Sequence, residues 1–175
     1  MNNRDLEALT IVKYPNEILR QKTVPVSKIT EEIFRLVEAM KESMLNNDGV
    51  GLAASQVGKT CRLFVLNTTP FEDHPTPIAI INPEIISQDG KNTDEEGCLS
   101  FPELRIDIER PESIRVQMQT LFNEKIVLEV NGFLARVVCH EIDHLNGVLF
   151  IDRVLEKDRE KVQKYLEERS AIKVS

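Results

Sequence analysis

The sequence predicts an α+β fold in which antiparallel strands pack around a central helix bearing an HExxH pattern, with one further helix toward each end of the chain. Three observations point there. Helical periodicity is confined to three separated stretches, the strand-like runs between them are short, and no regular alternation of strand and helix links them, which argues against a doubly wound parallel sheet. At 175 residues one domain over 1–175 is expected, with 152–175 as a C-terminal helix and tail.

Residues 31–46 repeat apolar positions at Ile33, Phe34, Val37, Met40, Met44 and Leu45, the spacing of one helix face. Thr30 can cap this helix, Glu31 and Glu32 complement its dipole, and Asn47, Asp48 and Gly49 supply the stop. Residues 61–67 and 77–86 are short runs rich in branched apolar side chains and read as strands. Residues 113–120 alternate Ile114, Val116 and Met118 with polar neighbours, and 125–130 follow after a turn near Asn123, which predicts an antiparallel hairpin. A second helix is predicted over 132–146, ended by Gly147. A third is predicted over 152–169, burying Leu155, Val162, Tyr165 and Leu166.

The net charge of −7 and pI near 5.1 argue against a chain that wraps nucleic acid along a basic face, so no DNA partner is expected. No run of about 18 apolar residues occurs, and the first residues do not read as an export signal, so neither a membrane nor secretion is expected. Three cysteines make an odd, sparse set that suits a reducing, cytoplasmic compartment.

Within the second helix, His140 and His144 lie four apart and can turn both imidazoles toward one cation, while Glu141 is offset by about 100 degrees and stays free to hold a water. Two histidines leave a catalytic metal shell short of a third protein ligand. His74 sits in an acidic, proline-flanked loop and reads as solvated; Cys61 reads as a small buried hydrophobe; Cys139 points away from its neighbour His140. Cys98 is left, after Gly97, whose missing side chain permits a tight bend or close approach of a ligand. Sulfur with two imidazoles suits zinc, ferrous iron or nickel. The stretch GVGLAASQVG (49–58) lacks the lysine of a phosphate loop. Its small residues, Gly49 and Gly51 among them, allow a peptide close to the backbone with the Gln56 amide as a neutral donor, or they form a plain turn against the first helix.

Together GVGLAASQ (49–56), EGCLS (96–100) and HEIDH (140–144) resemble, in order, identity and spacing, the three signature motifs of the peptide deformylase family; YPNEILR and FPELR also look like family positions. The resemblance implies a metallohydrolase that removes the N-formyl group from the initiator methionine of new polypeptides and releases formate. It implies one divalent metal ion per chain, Fe2+ natively and exchangeable for Zn2+, Ni2+ or Co2+. By motif position Cys98, His140 and His144 would be the ligands, Glu141 the general base and acid, and Gln56 with the Leu99 backbone amide the oxyanion hole. Arg105 would help fix the site through polar contacts. Two positions depart from the family pattern: Ser55, where proline is frequent, and Cys139, where glutamine usually precedes the first histidine. The C-terminal helix looks like that of the bacterial type, members of which can dock it at the ribosome, and 153–175 hold seven Lys or Arg against five Asp or Glu. Mixed charges also read as a solvated face with pairs four apart.

The methionine side chain is expected in an apolar pocket including Val50, Phe133 and Val137, with the peptide extended along Gly51 and Gly97. Three other readings compete: a general HExxH metallopeptidase, a non-catalytic ribosome or RNA binder with a structural metal, and a Cys98 thiol nucleophile.

Overall fold

The structure, a computed structural model, describes residues 8–70 and 76–171. In chain order its elements are α1 (Glu31–Leu45), β1 (Gly51–Ala53), β2 (Leu63–Leu66), β3 (Ile78–Asp89), β4 (Asn92–Cys98), β5 (Phe101–Arg110), β6 (Ser113–Gln119), β7 (Lys125–Asn131), α2 (Gly132–Leu145) and α3 (Arg159–Ala171). Strands β1, β2, β3, β6 and β7 form one antiparallel sheet in that order, and β4 with β5 forms a separate two-stranded ribbon. The α+β class with a central HExxH helix is as expected.

All four residues of β2 are buried because both faces of the sheet are covered there. Phe64 and Leu66 cluster with Val138, Ile142 and Leu145 of α2, while Leu63 and Val65 cluster with Val37, Met40 and Met44 of α1. Each large apolar side chain so buried contributes about 1.5–3 kcal/mol. Farther along the sheet only one face is covered, so Ile114, Val116 and Met118 are buried while Arg115 and Gln117 between them are exposed. The ribbon has its own core, in which Phe101, Leu104, Ile106 and Ile108 meet Leu19, Leu149, Phe150 and Val162.

Four local expectations are corrected. Thr30 takes the N-cap position of α1 but its hydroxyl makes no capping bond, and Phe34 and Leu45 lie partly exposed beyond the edge of the buried face. The expected third helix begins at Arg159: residues 150–153 and 156–158 are short 3-10 turns instead. Burying the adjacent Phe150 and Ile151, and bonding Leu149 N–H to Asp152 Oδ2 at 2.8 Å, breaks the helical register there. Leu155 consequently lies outside the helix. Finally, β4 and β5 are strands that the sequence reading left unassigned, although Leu104, Ile106 and Ile108 alternate with charged residues throughout β5.

Candidate active site

Two elements bring the candidate ligands together. Helix α2 ends at Leu145, and Gly147 follows at φ 72, packed so tightly on the Arg20 carbonyl that a side chain there would overlap it. His140 and His144 lie on the face of α2 that meets the ribbon. Cys98 closes β4 immediately before a two-residue turn at 99–100. The ladder pairs Gly97 with Arg105 but Cys98 with Phe101, so residues 102–104 bulge out of register and Glu103 adopts φ 68. A bulge of this kind re-aims a side chain at the strand end.

The ligand atoms of Cys98, His140 and His144 all lie within 4.8 Å of one another, and Cys98 Sγ is 3.2 Å from His144 Nε2. His140 Nδ1–H donates to Glu96 Oε2 at 2.9 Å, which leaves the other ring nitrogen free to face a cation. Burial disfavours charge on His140, but the Cys98 and Glu96 side chains beside it outweigh that and raise its pKa; burial and the neighbouring His140 lower that of His144. Sulfur and two imidazoles converging on one point form a donor set that fits a divalent transition-metal ion.

Glu141 is buried, its Oε2 has no hydrogen-bond partner, and burial pushes its carboxyl up to about 7. Strand β1 presses against it: a Cβ on Gly51 would sit 2.8 Å from Glu141 Cγ and Cδ, so only glycine fits. Gln56 lies in a buried 3-10 turn, Ala54–Val57, where its Oε1 accepts from Ala53 N–H at 2.9 Å. That bond turns Nε2 inward, 3.5 Å from Cys98 Sγ and 3.2 Å from Ser100 Oγ. The glycine stretch is therefore a strand followed by a 3-10 turn, and Leu52, Ala54 and Val57 pack with α1 as the turn reading expected. Leu99 occupies the turn after Cys98, and its carbonyl accepts from Lys13 Nζ at 2.6 Å.

A cavity of about 460 Å3 opens beside these groups and includes Val50, Gly51, Gly97, Leu99, Phe133 and Val137, with Gly49 at its wall. Phe133 is half exposed and Val137 buried. Arg105 stands on the rim, two-thirds exposed, with Glu95 at 3.8 Å. His74 lies outside the described residues. Cys61 is half-buried beside Val24, and Cys139 is buried in the α2 core, where burial raises its thiol to about 11. Of the departing positions, Ser55 Oγ donates to the His144 carbonyl at 3.3 Å, one of the acceptors that a helix end leaves unsatisfied.

Sequence reasoning missed the charges behind the ligands. Arg110 donates to both oxygens of Glu96 at 2.8 and 3.0 Å and also bonds Asp143; Arg136 reaches Glu96 Oε1 at 2.8 Å; Arg153 holds Asp143 at 2.6 Å. Burial alone would raise the Glu96 carboxyl, but hydrogen bonds from His140 and Arg110 hold it far below the ordinary range. The acid of EGCLS and the second acid of HEIDH were visible signals.

The sequence profile described as Polypeptide deformylase matches residues 8–160. A peptide deformylase of Prosthecochloris aestuarii is 42% identical over 95% of this chain and 90% of its own length. The crystal structure of peptide deformylase from Thermotoga maritima is 43% identical, with a TM-score of 0.80 over 85% of this chain and 99% of that one. A peptide deformylase from Synechococcus elongatus, in complex with actinonin, is 36% identical with a TM-score of 0.86 over 93% and 88%. With a profile match over residues 8–160, relatives above 40% identity over most of its length and a common architecture, the chain belongs to the peptide deformylase family.

Proposed function

We propose that Cys98, His140 and His144 hold one divalent metal ion, Fe2+ natively with Zn2+, Ni2+ or Co2+ as replacements, and that Glu141, Gln56 and the Leu99 amide carry out the reaction around it. As a family member the chain is a metal-dependent hydrolase that removes the N-formyl group from new polypeptides. The observation that carries the residue assignment is the convergence of one sulfur and two rings beside a buried carboxylate oxygen without a partner. The family match over most of the chain favours neither a general metallopeptidase nor a non-catalytic binder.

When bound, the ion supplies Lewis acidity, which polarises a carbonyl and lets water ionise near neutral pH. Glu141 Oε2 takes the proton from the attacking water and later delivers it to the amine nitrogen as the C–N bond breaks, leaving formate and a free amino terminus. Gln56 Nε2 and the Leu99 N–H donate to the oxygen as it gains negative charge. In this state Gln56 Nε2 faces Cys98 Sγ and Ser100 Oγ, so it already points into the reacting region. Val50, Phe133 and Val137 offer an apolar wall for the methionine side chain, and the formyl carbon, bearing only hydrogen, fits where larger acyl groups are excluded. Gly51 and Gly97 let the peptide backbone approach, with Gly49 and Arg105 supporting the cavity wall and rim.

A cytoplasmic setting fits three free thiols and the absence, among the described residues, of any helix long and apolar enough to cross a membrane. Of the cations that could dock the C-terminal segment at the ribosome, Lys157, Lys161 and Arg169 engage Asp107, the Arg105 carbonyl and Glu103, which leaves Lys164 of α3 as a candidate contact. Co-sedimentation with ribosomes across a salt series tests it. For the main reading, anaerobically purified protein is assayed for metal content and for formate released from a formyl-Met peptide. One equivalent of metal with turnover is expected; metal-replete protein without formate release overturns it.

A further inference from the structure

The candidate ligands come from two pieces that share no ladder. His140 and His144 ride on α2, Cys98 on the β4–β5 ribbon, and the ribbon is separate from the five-stranded sheet against which α2 packs. Some tie must therefore fix the ribbon on the helix closely enough to hold one sulfur against two rings.

Arg136 lies one helical turn before His140, and its side chain is buried and crosses from α2 to the ribbon. Nη1 donates to Glu96 Oε1 at 2.8 Å and to the Ile108 carbonyl at 2.9 Å; Nη2 donates to the Asn92 carbonyl and to Asn92 Oδ1, both at 2.9 Å. With a longer bond to the Asp94 carbonyl at 3.4 Å, one rigid planar fork thus grips β4 at three residues and β5 at a fourth, a geometry that a lysine cannot reproduce. The other oxygen of Glu96 receives His140 Nδ1–H. Arg110 runs the opposite way, from β5 to Asp143 of α2, and meets Arg136 at the same carboxylate.

We infer that Arg136 is a positioning residue for the metal centre, locking the ribbon onto α2 so that Cys98 and the two rings keep one geometry and Glu96 keeps the His140 ring oriented. This rests on the reading that Cys98, His140 and His144 hold the ion. It differs from a purely structural role in a measurable way. A purely structural role predicts a loss of stability alone, because removing one partner of a buried pair is costly, whereas disturbing the partners behind a metal ligand also weakens metal binding of the folded protein about 10–100-fold.

The test uses the full chain with Arg136→Met, Arg136→Lys and Asn92→Ala. Metal-free protein is titrated with Co2+ against a chelator, the cobalt absorption spectrum is recorded, and the urea midpoint of the metal-free form is measured. Arg136→Met is expected to lower the urea midpoint and, in protein that is still folded without urea, to lose about 10–100-fold in Co2+ affinity and to shift the ligand-field bands. Arg136→Lys should restore only part of the affinity. Asn92→Ala, on an exposed side chain, removes one anchor and should weaken Co2+ several-fold, which keeps the test decisive if Arg136→Met does not fold. Wild-type affinity and spectrum in Arg136→Met, or in Asn92→Ala when it is the sole folded variant, overturn the inference. Wild-type protein without a cysteine-to-cobalt charge-transfer band overturns the metal-site reading itself and this one with it.

Discussion

Glu141 and Gly51 sit so close together that no side chain has room at position 51. Adding a methyl group at Gly51 would overlap the Glu141 carboxylate, so Gly51→Ala should displace the proposed base and lower kcat by one to two orders of magnitude, about 1.4–2.8 kcal/mol in the barrier. Wild-type kcat in that variant would show that Glu141 needs no fixed place. Glu141→Gln should retain one equivalent of metal and lose turnover about 10²–10⁴-fold; metal analysis beside a formate assay checks both. Because Glu141 is raised by burial to about 7 and acts as a base when unprotonated, kcat/KM should fall as pH drops through that value, or somewhat lower with a cation beside it. A profile flat from pH 5 to 9 would remove Glu141 from the role. The histidine pair and its glutamate could be read from spacing alone, since residues four apart on a helix share a face. The contacts of Glu96 with Arg110, Arg136 and His140 could not, because bonds between residues 14, 40 and 44 apart leave no local pattern.

At the level of elements, α1, α2 and the β6–β7 hairpin follow from periodicity because each has one covered and one open face. Strand β4 escapes the same reading: its residues are nearly all polar, and its partner β5 carries the apolar alternation for both. Strand β4 matters for acid stability through Glu96. Its folded pKa lies below the unfolded value near ~4.3, so the unfolded chain binds more protons between the two and stability rises with pH across that window. The contribution is fully present above ~4.3 and is lost as pH falls toward the folded value. In metal-free protein, Glu96→Gln should cost about 3–5 kcal/mol at pH 7 by leaving buried arginines short of a partner, and urea titrations should show the gap to wild type narrowing below pH 4. A gap constant with pH would mean that Glu96 is not held charged by its neighbours.

Taken as a whole, the molecule stacks three cores, and the one behind the ribbon joins α3 to the site. Phe150 is fully buried, lies edge-on to Phe101 at 5.2 Å, and faces the His140 ring at 5.9 Å. Phe150→Ala should therefore cost about 3–5 kcal/mol and weaken metal retention at the same time, measured by urea unfolding and chelator competition. Independent behaviour of the two quantities would separate that core from the site. The seven cations counted near the C terminus gave no hint of this, since three of them, Lys157, Lys161 and Arg169, make surface contacts with β5.

The separate ribbon also governs timing. Cys98 meets His144 only after closure of a 46-residue loop, and contacts between distant segments form late in folding. During synthesis, a copy of this chain stalled anywhere before position 144 holds an unfinished trap for its ion. Ion capture during refolding should therefore coincide with the slowest kinetic phase rather than with the first collapse.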